Sequence, residues 1–371
     1  MSSSKPTDTH ARQSDATMRP DHDRFYVGLD VSRDETQVCV RDRTGRVRFE
    51  GKVPTDPDAV ARAIRKRAPD AELIGFESGT MTAWLWRGLK ERGLPAIVID
   101  ARHAYAALSA RTNKSDRNDA RGLAELMRTG FYREVQVRSE EADHLRVLLN
   151  ARARIVRMIG DVQNQLRGVM RERGMRLRRA VGPMYRQRVR EAIAANVAPD
   201  DPLMPVVDAF LRLHERLWSE QLELDRRIRA VARKDQTVRR LMTIPGVGIV
   251  TACAFRHTID DPSRFSSSTT VGAFLGLTPR RWQSGELDYT GRISKAGSST
   301  MRALLYEAAS VVIHKLQRHC AMKTWAEGLV KRIGLRRARV ALARKLAVLM
   351  HAIWIDGTEF EWGEPKPAVA A

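Results

Sequence analysis

Four carboxylates in the first third of the chain have the spacing and setting of a phosphoryl-transfer site. Asp30 interrupts an apolar run, VGLDV, and Glu77 ends another, IGFE, while Asp116 and Asp119 stand three apart in KSDRNDA. Residues three apart on a helix project from one face, so the last two form a pair. Carboxylates gathered at close range repel one another unless cations join them. Mg²⁺ takes several such oxygens together with substrate phosphate. Two ions about 4 Å apart can clamp the attacking and leaving oxygens of a displacement at phosphorus. Each residue also has a plainer reading. An Asp after a strand is usually a turn residue, Glu77 could cap the next helix, and the Asp pair suits the positive end of its own helix. Their joint occurrence in this order is what points to a metal-dependent nuclease site.

A second candidate lies far downstream. Ser284 sits in QSGE, flanked by Arg280, Arg281, Arg292 and Lys295. Cations around a hydroxyl lower its pKa and offset charge developing at phosphorus, as an activated nucleophile requires. A loop serine is more often a turn residue, so spacing alone leaves both readings open. LMTIPGVGIVTA (241–252) has the form of a helix-hairpin-helix, in which Pro245, Gly246 and Gly248 would let backbone N–H groups approach a nucleic-acid phosphate. An ordinary helical hairpin with glycines for steric reasons is the competing reading.

The elements that must position these groups are legible in outline. Residues 1–24 are polar and read as a disordered tail. FYVGLDV, TQVCVRD and RVRFEGKV then read as three strands joined by tight hairpins, followed by alternating helices and strands: AVARAIRKRA, ELIGFE, MTAWLWRGLKERG and PAIVID. Two more helices are expected near 102–110 and 116–129. This is the element order of a ribonuclease-H-like α/β domain over 25–132, in which the first and fourth strands are neighbours and bring Asp30 and Glu77 together. A helical, coiled-coil-like connector is expected over 133–234, with a long helix at 139–172 and an amphipathic one at 203–233. A mainly helical domain spans 235–358, ending in the basic helix LRRARVALARKLAVLMHAIW, and 359–371 reads as a loose tail.

Charge selects the partner. The 371 residues carry 65 Lys+Arg against 44 Asp+Glu, a net +21, and 53 of the basic residues are Arg. Residues 151–190 alone hold 12 Arg and two acids, Asp161 and Glu172. Such an excess favours a polyanion, because each neutralised phosphate releases counterions, and Arg forks onto phosphates and guanine edges. A GC-rich genome, which inflates Arg codons whatever the function, is the competing reading. The three cysteines (Cys39, Cys253, Cys320) have no zinc or disulfide spacing. No apolar run approaches the roughly 18 residues of a membrane span, and the N-terminus lacks an apolar signal core. The expectation is a cytoplasmic protein with no membrane partner.

VGLDVS, Glu77, ARTNKSDRNDARGLAELMRTG, LMTIPGVGIVTA and FLGLTPRRWQSGELDYTGRISKAGSSTMRALLYEAA together resemble the insertion sequence 110 family of transposases, over roughly residues 25–355. The resemblance implies a RuvC-like DEDD domain whose acids Asp30, Glu77, Asp116 and Asp119 hold Mg²⁺. It also implies a C-terminal serine transposase domain in which Ser284 makes a transient phosphoserine link to DNA. Implied partners are donor and target DNA and, as in some members, a structured noncoding guide RNA from the element itself. The chain would act as a homodimer or homotetramer, with the RuvC-like domain of one subunit meeting the serine domain of another. Two departures stand out: Ser284 is followed by Gly285 and Glu286 where the family commonly has Ser-Gly-Gly, and SKAGSST replaces a more basic stretch. A RuvC-like junction endonuclease and a non-catalytic nucleic-acid-binding protein are the rival readings. The C-terminal serine block speaks against the first, and the full set of four acids against the second.

Overall fold

The computed structural model describes residues 24–109, 115–285 and 287–362. The expected tail before residue 24, the end of the chain after 362, and Glu286 lie outside the described residues. The chain divides into two compact units between Val137 and Arg138.

The first unit is a five-stranded sheet with helices on both faces. In chain order it runs β1 (Phe25–Val31), β2 (Glu35–Asp42), β3 (Val47–Pro54), α1 (Pro57–Arg67), β4 (Ala71–Glu77), α2 (Thr82–Glu91), β5 (Ala96–Ile99), α3 (Ala101–Leu108) and α4 (Asp116–Thr129). The sheet order is β3-β2-β1-β4-β5, with β1–β2 and β2–β3 antiparallel and β1–β4 and β4–β5 parallel. This is the ribonuclease-H-like order read from the sequence. Val27, Leu29, Val38, Val40, Ile74, Phe76 and Val98 fill one face against Val60 and Ile64 of α1 and Leu85 and Leu89 of α2. The other face receives α4 through Leu123, Leu126 and Met127. Asp56 starts α1 by accepting from two backbone N–H groups with Pro57 at its first position, and the left-handed Gly130 ends α4.

The second unit opens with α5 (Glu140–Glu172), α6 (Gly182–Asn196) and α7 (Leu203–Lys234). Ser139 caps α5, whose first turn holds Glu140, Glu141 and Asp143. The coiled-coil pairing expected of this region is made within the chain. Arg152 pairs with Asp225 at 2.5 Å, and Gln163 bonds His214 at 3.0 Å. Moving eleven residues forward on α5 thus moves eleven back on α7, so the helices run antiparallel in constant register. α6 closes one end of the pair around Leu166, Met170, Tyr185, Val189 and Leu211. At the other end Leu145, Leu149, Ile228 and Ala232 enter a large core shared with α8 (Gln236–Leu241), α9 (Ile249–Ile259), α10 (Thr270–Phe274), α11 (Ser299–His314), α12 (Ala321–Ile333) and α13 (Leu335–Asp356).

The structure corrects two expectations. The stretch read as a loop around Ser284 is a β-hairpin, β6 (Pro279–Ser284) with β7 (Leu287–Ile293), within an otherwise helical C-terminal region. The start of the expected loose tail is anchored: Phe360 and Trp362 pack on the core, and the Phe360 N–H donates to Thr243 Oγ1 at 2.9 Å. No described helix is long and apolar enough to cross a membrane.

Candidate active site

Strands β1 and β4 pair in parallel register, with Val27 beside Ile74, Gly28 beside Gly75 and Leu29 beside Phe76. Asp30 and Glu77 are the next residues on each, so the two acids stand level at the carboxyl ends of neighbouring strands. Alternation puts Asp30 on the face of Gly28 and Glu77 on the face of Gly75. That face lies under α4. A Cβ at Gly28 would come within 2.3 Å of the Ala120 carbonyl oxygen and the Ala124 nitrogen, and one at Gly75 within 2.1 Å of Met127 Sδ. The missing side chains let the helix backbone rest directly on the sheet.

The direction of α4 brings the remaining acids to the same end. Its last turn lies by the β2–β3 turn, where Arg128 donates to the Arg43 carbonyl at 3.2 Å. That turn flanks the start of β1, since Phe25 pairs with Asp42. The first turn of α4, carrying Asp116 and Asp119 behind the cap Ser115, therefore points toward the end that carries Asp30 and Glu77. Asp30, Glu77 and Asp119 are half-buried and Asp116 is exposed.

Sequence reasoning missed the groups that hold this corner. Glu50 of β3, 10% exposed, accepts from Arg117 Nε at 2.6 Å and Arg121 Nη2 at 2.9 Å. The hydrogen bond from Arg121 holds its carboxyl below the usual range against the opposing effect of burial, and Arg117 adds to this. The pair ties the first turns of α4 to the sheet and turns two cations toward Glu50. Neighbouring Cys39 is buried, and burial pushes its thiol up to about 11, so it is inert rather than nucleophilic. Gln37 faces Asp30 across β1–β2 and is 8% exposed. Asp100, a further acid at the end of β5, caps α3 by accepting from the Arg102 N–H at 2.9 Å and pairs with its guanidinium at 3.2 Å. The seating of α4 on the sheet brings Glu50 to its two arginines, and strand pairing brings Gln37 to Asp30.

Among the described residues no three His, Cys, Asp or Glu side chains stand together as a metal-holding group. Asp30, Glu77, Asp116 and Asp119 share an end and a face of the sheet without forming one. Their donor chemistry is entirely carboxylate oxygen, which suits a hard divalent cation such as Mg²⁺.

Ser284 closes β6 opposite Leu287, exposed at the tip of the hairpin, and Gly285 after it has φ 56°. On its face Trp282 stacks on Tyr289, with centroids 5.0 Å apart, and lies over Gly291, where a Cβ would meet the ring at 2.4 Å. The four flanking cations are not equivalent. Arg281 is forked onto Asp288, with Nε at 2.8 Å, and Arg280 donates to the Ser294 carbonyl at 3.2 Å. Arg292 and Lys295 are exposed without an ion pair among the described residues. Lys295 holds a left-handed φ of 56°, which a non-glycine residue adopts only under constraint. The Lys295 N–H donates to the Gly276 carbonyl at 3.1 Å, and Arg302 of α11 donates to the carbonyls of Leu275, Ala296 and Gly297 at 3.2, 2.6 and 3.1 Å.

The Pro-Gly-Val-Gly turn serves packing first. Pro245 is buried, and Gly246, at φ 83°, lies where a Cβ would meet the Ala308 carbonyl oxygen of α11 at 2.6 Å. Gly248, at the N-terminus of α9, is exposed with open space around it.

Comparison with known proteins gives the assembly its context. Residues 27–174 match the DEDD transposase family of the IS110 type, a RuvC-like domain, and residues 238–325 match the family described as Transposase IS116/IS110/IS902. The chain is 29% identical over 333 residues to the transposase for insertion sequence element IS1111A of Coxiella burnetii, covering 88% of each protein. It is 27% identical over 337 residues to a probable family 20 transposase of Pseudomonas aeruginosa, covering 88% of this chain and 96% of that one. It is 29% identical over 293 residues to the transposase for insertion sequence element IS1328 of Yersinia enterocolitica, covering 78% of this chain and 85% of that one. The acidic corner falls inside the first matched segment and the serine hairpin inside the second; the chain is an insertion-sequence transposase of the IS116/IS110/IS902 family.

Proposed function

We propose that this transposase recombines donor and target DNA by a Mg²⁺-dependent reaction in which Ser284 is the nucleophile. The observation that carries the reading is the level pairing of Asp30 and Glu77 at the ends of β1 and β4, under a helix whose first turn adds Asp116 and Asp119. These four carboxylates would hold the ions. Bound there, Mg²⁺ supplies positive charge to the phosphate under attack and to the leaving oxygen.

Ser284 Oγ bonds to phosphorus as the bond to the leaving sugar oxygen breaks, and the serine proton passes to that oxygen. One phosphodiester is exchanged for another, so the step needs no external energy and reverses when a new sugar hydroxyl attacks. Arg292 and Lys295 stabilise the charge that gathers on the phosphoryl oxygens. Gly248, at the start of α9, offers a backbone contact to DNA phosphate in a helix-hairpin-helix manner. Guidance by an element-encoded noncoding RNA belongs to the same reading and is supported by the arginines of 151–190, of which Arg167, Arg171 and Arg176 line one concavity. Homodimers or homotetramers would bring the acidic corner of one subunit to the serine hairpin of another.

The test is a search for protein-linked DNA. Full-length protein, co-expressed with the element's noncoding ends, is mixed with donor and target duplexes and Mg²⁺ and resolved under denaturing conditions. A covalent adduct lost in both Ser284→Ala and Asp116→Ala supports the mechanism. Cleavage without an adduct that survives Ser284→Ala but not Asp116→Ala means a metal nuclease using water, and the serine step is then wrong.

A further inference from the structure

We propose that the groove between β7 and the helices α12 and α13 seats a single strand of DNA, continuous with the strand that Ser284 attacks. This rests on the reading of Ser284 given above. The groove has a volume of about 1140 Å³, larger than the roughly 300–1,000 Å³ typical of small-molecule sites. Arg292 and Lys295 line it from the hairpin side, and Arg336, Arg337, Arg344 and Lys345 from α13, with no Asp or Glu in the lining among the described residues. All six are exposed, and none has an ion pair among the described residues. Elsewhere in the same unit arginines find acids, as Arg152 does Asp225 and Arg256 does Asp235. Six like charges facing one cavity repel each other, and a row of phosphates removes the repulsion.

Arg336 and Arg337 add a second electrostatic reason. They occupy the first turn of a 22-residue helix that has no acid there, where cations oppose the positive end of the helix dipole and an anion is favoured.

The occupant is single-stranded because the groove also offers a ring. Trp325 of α12 lines it and is 39% exposed, and Lys345 Nζ sits 4.4 Å from its centroid. A part-exposed aromatic ring, with Lys345 beside it to meet a phosphate, can take an unstacked base, which a duplex keeps inside its own stack. The strand is DNA because β7 joins the groove to the nucleophile. Leu287 lies opposite Ser284 and Arg292 is five residues further on, about 17 Å along a strand. That span is a few nucleotides of an extended single strand, so a strand held in the groove has its next phosphates toward the hairpin tip.

The test uses the full chain and a fluorescein-labelled 20-nucleotide single-stranded DNA bearing 5-iododeoxyuridine, titrated at several salt concentrations and photocrosslinked. Arg336→Gln/Arg337→Gln, both at exposed positions, should weaken binding about tenfold and lower the salt slope by about 1.4, at about 0.7 per phosphate contact. Trp325→Ala should cost about tenfold and leave the slope unchanged. The wild-type crosslink should map to the peptide containing Trp325. Variants that bind like wild type, with crosslinks elsewhere, overturn the groove and leave the Ser284 adduct assay unaffected. A duplex or an RNA of the same sequence that binds more tightly and crosslinks at Trp325 overturns the assignment to single-stranded DNA. Wild-type protein that binds no DNA at all overturns both the groove and the serine mechanism.

Discussion

Gly28→Ala should disarm the acidic corner without touching an acid. The new Cβ would lie 2.3 Å from the Ala120 carbonyl oxygen and the Ala124 nitrogen, and 2.9 Å from the Leu123 carbonyl carbon. These are backbone atoms of α4 and cannot rotate away. Non-bonded heavy atoms settle near 3.5 Å, so the helix must lift by about 1 Å. Overpacking of this kind costs about 1–3 kcal/mol, or a fall of roughly 3–10 °C in melting temperature for a unit of this size. The same displacement withdraws Asp116 and Asp119 from Asp30 and Glu77, and a misplacement of about 1 Å is worth about a hundredfold in rate. Gly160→Ala is the matched control: it lies in the interior of α5 with nothing within 4 Å of its Cβ position. There the substitution should stabilise by about 0.5–1 kcal/mol, from helix propensity and lost unfolded-state entropy. Thermal melting by circular dichroism and the rate of adduct formation are read on both variants. Gly28→Ala melting and reacting like wild type would refute the seating of α4 on β1, and with it the convergence of the four acids.

Two further outcomes follow from partners already described. Glu50→Gln removes the charge that Arg117 and Arg121 share, at a cost of about 1–2 kcal/mol, and should slow adduct formation with the secondary structure unchanged; a rate equal to wild type would mean that the pair does not position α4. His214 is fully buried, bonded to Gln163 and stacked on Tyr185, and burial together with the nearby Arg186 lowers its pKa to about 4. The folded value lies below the unfolded value of about 6.5, so the fold favours the neutral ring. Its contribution is present above pH 6.5 and is lost as pH falls toward 4, about 2–3 kcal/mol between pH 7.5 and 4.5. Urea denaturation at the two pH values should show the deficit of His214→Phe relative to wild type shrinking by that amount, and a constant deficit would show that His214 does not titrate this way.

The parts of this molecule that depend on neighbours along the chain are legible in the sequence itself. The β1–β3 hairpins, the cap at Ser115 and the terminator Gly130 are local signals, and the level placement of Asp30 and Glu77 follows from the element order. What escapes is set by long-range pairing. Glu50 is remote in sequence from Arg117 and Arg121, and nothing in its local pattern separates it from a solvated strand glutamate. Gly246 looks like a phosphate-binding glycine because the Ala308 carbonyl beneath it comes from a helix some sixty residues on. The β6–β7 hairpin has a readable signal, two alternating runs around Ser-Gly-Glu, which its density of Arg obscures. The groove draws on residues from 277 to 348, and no local window contains it.

The antiparallel pairing of α5 with α7 constrains how the gene can change. Each residue added to a helix advances it by about 1.5 Å and turns it by about 100°. One residue inserted between Arg152 and Gln163 would therefore rotate one of the two cross-links off its partner while leaving the other in place. The pairing survives only if α7 gains a residue over the same interval, between His214 and Asp225. Length variation in this arm is thus correlated: natural relatives should lengthen or shorten both helices together. Steps near seven residues should be best tolerated, because about two turns restore the same face. The two helices are separate stretches of coding sequence but a single unit of heredity.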